Sequence, residues 1–161
     1  GVPNGPSTEA KDSLLEATLQ FMHTHQLDFT RFFRSLTALD PKAEVLANFA
    51  LWQSNPYFPL TLGDEKQVED AKNWLLQWSG LSQANALPLP AWRKRLNNTN
   101  PAFVLRNHLL QNAIEAAKQG QLEELNRLFA ALSDPYSDQL DADLTAVPPE
   151  WAKGLVLSCS S

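Results

Sequence analysis

One cysteine and one methionine occur in 161 residues. A single thiol excludes an internal disulfide framework and fits a reducing compartment. Charge is scarce too: Asp, Glu, Lys and Arg make up 19% of the chain, below the usual quarter. That shortfall suggests a surface partly covered by something else. The net charge of −5 disfavours a nucleic-acid partner and offers no pull towards an anionic membrane. No apolar run approaches the roughly 20 residues that a membrane span needs. A Gly-rich phosphate loop is missing, as is a strand bearing a lysine that could reach phosphates, or an Asp-Phe-Gly-like metal element. There are no internal repeats, and strand alternation is confined to Leu155-Val156-Leu157.

What remains is helical periodicity and caps. Apolar residues reach 43%, enough for one core, and 161 residues fit one domain. Leu14, Leu15, Thr18, Leu19 and Met22 form a stripe between Thr8 and Gln26. Asp28 caps a short helix that runs to Leu39. Asp40-Pro41 reads as an N-cap followed by Pro at the first helical position, opening a helix through Trp52. Asp64 opens the next one, with Gln67 placed for a capping box and Gly80 as its stop. A helical turn is expected around Trp92 to Leu96. Asn100-Pro101 repeats the cap-plus-proline device and predicts the longest helix, with Ala102, Leu105, Leu109, Ala113 and Ala116 inward. Gly120 then links it to a partner helix carrying Leu122, Leu125, Leu128, Phe129 and Leu132, as an antiparallel hairpin. The expected fold is all-α, an irregular bundle of about six helices with an extended carboxyl-terminal wrap and tail. Residues 1–7 read as a cloning scar or loop remnant, 8–132 as the helical domain, and 133–161 as the irregular wrap and tail.

Few side chains offer chemistry. Cys159 lies between serines, two residues from the last position. Small polar neighbours make a thiol accessible, which suits thiol exchange, although an idle exposed thiol fits the same residues. Arg106 and Asn107, expected mid-helix, fit either an anchor onto a carboxylate of another domain or a rim arginine in a local ion pair. His23 and His25 point about 200° apart on a helix and cannot easily share an ion. His108 has no cysteine or carboxylate at ligand spacing. No metal site is expected. Arg93-Lys94-Arg95 reads as a solvated face. Of the five tryptophans (Trp52, Trp74, Trp78, Trp92 and Trp151), Trp151 is the candidate to pin the tail.

Three blocks carry a resemblance. Pro148-Pro149-Glu150-Trp151 precedes Ser158-Cys159-Ser160-Ser161. Asn100-Pro101-Ala102-Phe103-Val104-Leu105-Arg106-Asn107 is followed in register by Gln111, Ala113-Ile114, Ala116-Ala117 and Gly120. Asp28-Phe29-Thr30-Arg31-Phe32-Phe33-Arg34 lies upstream. The chain resembles the selenoprotein O family of protein adenylyltransferases over about residues 28–161. Leu96-Asn97 departs mildly from an expected Met-Asn pair.

That resemblance implies a carboxyl-terminal fragment of a several-hundred-residue enzyme whose nucleotide chemistry lies in an absent kinase-like core. The parent would move AMP from ATP to Ser, Thr or Tyr hydroxyls of proteins, with ATP and Mg as cofactors. The fragment itself would hold no catalytic residue and no cofactor. Cys159 stands where members place selenocysteine or cysteine, with a thiol in the core as its implied partner. Arg106, Asn107 and Trp151 would dock the fragment to that core. The implied partners are the core and the parent's protein substrates, with no nucleic acid and no membrane, and possible self-association of the fragment. A bacterial, cytoplasmic parent is expected. The other class of function left open is a non-catalytic helical module that recruits a protein through a tryptophan-rich groove.

Overall fold

Two aspartates begin helices as their positions predict. Asp28 Oδ1 accepts from the Arg31 amide at 2.9 Å and opens α2 (Phe29–Ser35). Asp64 Oδ1 accepts from the Gln67 amide at 3.0 Å and opens α4 (Glu65–Ser82). Ser7 does the same for α1 (Thr8–Thr24), accepting from Ala10 at 3.2 Å. Each side chain satisfies an amide that a first helical turn leaves without a partner. The computed structural model describes residues 7–61, 63–83 and 87–155. The remaining helices are α3 (Val45–Gln53), α5 (Leu89–Thr99), α6 (Asn107–Lys118), α7 (Glu123–Ser133) and α8 (Ala142–Thr145), with 3-10 turns at Leu36–Ala38 and Glu150–Ala152. No strand occurs among the described residues. The all-α expectation holds, with eight α-helices among the described residues rather than about six, because α5 is a full helix and α8 forms a further short one.

Several boundaries differ from the sequence reading. Asp40 caps a turn and not a helix: its Oδ1 accepts from Lys42 at 2.9 Å, and α3 starts only at Val45, behind Glu44, which makes no side-chain cap. Asn48, fully buried, crosslinks that turn. Its Oδ1 accepts from the Asp40 amide, and its Nδ2 donates to the carbonyls of Asp40 and Ala43. Gln67 does not close a capping box; its Oε1 accepts from the Thr61 amide at 2.7 Å and holds the incoming loop. Gly80 does not stop α4, which continues to Ser82. Pro90 sits in the first turn of α5, where a missing N–H is harmless.

The largest correction concerns Asn100–Arg106, which is not helical. The amides of Ala102 and Phe103 both donate to the Pro135 carbonyl, at 2.8 and 3.1 Å. A carbonyl distant in sequence takes the two amides that an Asn100 cap would have had to satisfy, and α6 begins at Asn107. The longest helices are therefore α4, with 18 residues, and α1, with 17; α6 has 12.

The chain divides into two compact units, Gly1–Asn98 and Thr99–Ser161. In the first, α4 packs on α1 and α3 around an aromatic core. The rings of Phe32, Trp52 and Trp74 lie 5.3–5.8 Å apart, mostly edge to face, and Trp78 stacks on Trp74 at 6.4 Å. Two hydroxyls satisfy the indoles of Trp52 and Trp74. Trp52 Nε1 donates to Ser35 Oγ at 2.6 Å, and Ser35 Oγ in turn donates to the Phe32 carbonyl. Trp74 Nε1 donates to Thr18 Oγ1 at 2.9 Å, and Thr18 donates to the Leu14 carbonyl. Such pairing removes the cost of burying an indole N–H. Arg34 is equally buried, donating from Nη1 to the Asn97 carbonyl at 2.9 Å and lying over the Tyr57 ring.

In the second unit, α6 and α7 form the expected hairpin. Gly120, with φ +80°, makes the turn in a conformation that costs other residues strain. Leu109 and Ala113 of α6 meet Leu128 and Ala131 of α7, and Phe103 and Leu144 complete the core. After α7, residues 134–155 are irregular apart from α8 and the second 3-10 turn. Arg127 fastens α7 to it, reaching Glu124 and Asp143 at 2.7 Å and Asp141 at 3.2 Å. These hydrogen bonds hold the guanidinium protonated and the Asp143 carboxyl below its usual range.

Candidate functional site

The start of α6 is where the end of the described chain is secured. Arg106 is its N-cap, in extended conformation (φ −97°, ψ 146°), and its side chain does not cap the helix. The expectation that Arg106 and Asn107 sit mid-helix is therefore corrected: Asn107 is the first residue of α6. That placement turns the Asn107 amide outward, and Nδ2 donates to the Leu155 carbonyl at 2.8 Å. His108, one residue on, is buried and meets the Trp151 ring edge to face at 6.0 Å. Burial, aided by the Arg106 charge, pushes the imidazole pKa down, so His108 favours its neutral form. Trp151 itself is 59% exposed. It packs against His108 and leaves more than half of its surface to solvent.

Three of the four expected site residues thus gather around one helix terminus. Cys159 lies outside the described residues. His108 was not expected here; its only signal in the sequence is adjacency to Asn107. The Asn107–Leu155 hydrogen bond and the His108–Trp151 ring contact hold residues 151–155 against α6.

Elsewhere, His25 Nε2 pairs with Asp70 Oδ2 at 3.0 Å in a cleft of about 290 Å³ between α1 and α4. His23 is exposed. No group of three or more His, Cys, Asp or Glu that could hold a metal exists among the described residues. Arg93 donates to the Ala38 carbonyl at 3.2 Å, so one member of the basic run is structural. Within those residues no helix is long and apolar enough to cross a membrane.

A family model described as "Protein adenylyltransferase SelO" matches residues 2–133. The chain belongs to the SelO family. The blocks Asp28–Arg34 and Asn100–Asn107 fall inside the matched residues, whereas Pro148–Ser161 lies beyond them. Curated relatives agree with the assignment. A protein named "Protein nucleotidyltransferase YdiU" from Bordetella avium (strain 197N) is 36% identical over 154 residues, covering 93% of this chain and 28% of its own. The protein of that name from Shewanella baltica (strain OS195) is 32% identical over 160 residues, covering 97% and 30%. The one from Xylella fastidiosa (strain Temecula1 / ATCC 700964) is 33% identical over 153 residues, covering 92% and 29%. The chain spans less than a third of the length of these SelO-family relatives.

Proposed function

We propose that these residues serve as the carboxyl-terminal helical part of a protein adenylyltransferase, an enzyme that moves AMP from ATP to Ser, Thr or Tyr hydroxyls of proteins with Mg as the metal. The observation that carries this reading is the family match over residues 2–133, joined to relatives more than three times as long. On this reading the nucleotide chemistry lies outside the chain, in a kinase-like core. The aromatic unit and the α6–α7 hairpin buttress that core, and Arg106, Asn107 and Trp151 stand at the place where the terminal segment is directed. Cys159 then acts as a redox partner for a thiol of the core. Joining the two thiols as a disulfide releases two electrons and two protons to an oxidant such as oxidised glutathione, which leaves as two thiols. A bacterial cytoplasm, kept reducing, is the compartment in which such a bond is a signal rather than a fixture.

The test is label transfer from ATP carrying a radioactive α-phosphate. A full-length protein containing these residues should label protein hydroxyls in the presence of Mg, and Cys159→Ser should change how that rate responds to oxidised and reduced glutathione. The 161-residue chain alone should transfer nothing and give no specific heat with ATP. A micromolar Kd for ATP on the chain alone, or a full-length protein that never transfers AMP, would overturn the reading.

A further inference from the structure

Helix α7 is apolar on two faces. Leu128 and Ala131, 2% and 3% exposed, face α6. A second stripe runs from the N-cap Leu122 through Leu125 and Phe129 to Leu132, and its members are 52, 44, 72 and 44% exposed. A helix at a protein surface needs only one apolar face; the second has no counterpart among the described residues of the second unit. The spacing of the stripe, three then four then three residues, is the repeat by which one helix packs lengthwise along another. Its flanks are uncharged: Gln121 on one side, Asn126 and Ser133 on the other. Covering the stripe would therefore strand no charge.

We propose that this outer stripe of α7 is the seat of an amphipathic helix supplied by the part of the protein that lies outside these 161 residues. The inference rests on the proposed function, since it takes the chain to work within a longer protein. More than two thirds of each curated relative lies beyond the matched part, so a covering element has ample sequence to come from. A second copy of this chain is the weaker occupant, because pairing would bring together two bodies of net charge −5. The incoming helix presents Leu, Ile, Val or Phe at the same three-and-four spacing and crosses α7 at a shallow angle, with Phe129 as the central anchor.

Thiol footprinting tests the seat. Phe129→Cys, Leu125→Cys and, as a control on the neighbouring polar side, Ala130→Cys are each made in a Cys159→Ser background. Each is prepared both in the full-length protein and in the 161-residue chain, and labelling at each site is read by peptide mass spectrometry. In the full-length protein, positions 129 and 125 should label slower than position 130 by about tenfold or more, since labelling waits on local opening. In the 161-residue chain all three should label alike. Equal rates at all three sites of the full-length protein would overturn the proposal. Protection in the 161-residue chain that grows with its concentration would overturn it too, by making a second copy the occupant. AMP transfer measured on the full-length protein without these substitutions keeps the two ideas separate: a protected stripe in a protein whose unsubstituted form never transfers AMP sinks the proposed function and leaves the seat standing.

Discussion

Asn107 and Leu155, 48 positions apart, are joined by a 2.8 Å hydrogen bond from a side-chain amide to a backbone carbonyl. The bond exists because α6 starts at Asn107 and not seven residues earlier. A mid-helix Asn107 would direct its amide elsewhere, and the segment after Trp151 would lose this side-chain tether to α6. The start of α6 and the course of the terminal segment are thus one structural decision.

Asn107→Ala should loosen that segment more than it destabilises the fold. The bond is solvent-exposed, so its loss should cost at most about 1 kcal/mol. Amide exchange at Lys153–Leu155 should quicken while the core of α6 and α7 keeps its protection. Unchanged exchange there would show that Trp151 against His108 suffices to hold it.

Thr18→Val should cost far more than an exposed threonine would. It leaves the buried Trp74 indole N–H without an acceptor, a loss of about 1–3 kcal/mol. Adding Trp74→Phe removes the stranded donor, so the double variant should lose less than the sum of the two single ones. Additive losses in urea denaturation would mean the hydroxyl–indole bond contributes nothing.

His108 should weaken the fold on mild acidification. Its folded pKa lies below the ordinary value of 6.5 because of burial and the nearby Arg106. A depressed histidine leaves stability intact above the unfolded pKa and erodes it as pH falls from there to the folded value. Wild-type stability should therefore drop between about pH 7 and pH 5 by more than that of His108→Gln. Equal slopes would place the imidazole in a more hydrated setting than the structure shows.

Asp143 acts in a lower window. Arg127 holds its carboxyl below the usual aspartate range. Its contribution is present above the unfolded pKa and vanishes as pH falls through the folded one. Asp143→Asn should destabilise the second unit near neutrality, and the gap from wild type should close below about pH 3. A gap that persists in strong acid would assign the effect to packing of α8.

Legibility in the sequence followed the range of the interactions. The starts of α2 and α4 could be read because the Asp28 and Asp64 carboxylates act on amides three residues ahead. The α6–α7 hairpin could be read because Gly120 sits between two periodic stripes. Asp40-Pro41 and Asn100-Pro101 showed the same local signal and failed. At Asp40 the buried Asn48 takes the backbone groups of the turn; at Asn100 the Pro135 carbonyl takes the next two amides. Of the partners of Arg34 and Arg127, Glu124 alone stands at regular helical spacing, three residues before Arg127; Asn97, Asp141 and Asp143 are remote or irregularly spaced and gave no signal.

By itself the sequence determined helix as the only regular element, through period, caps and the want of alternating strands, and it determined SelO family membership through blocks that survive in order. Tertiary structure alone decided where α3 and α6 begin, that Arg106, Asn107, His108 and Trp151 share one helix end, and which apolar stripe of α7 stays uncovered. A backbone amide is indifferent to whether its acceptor is four residues back or 33 residues ahead. Only the folded chain shows which acceptor is within reach.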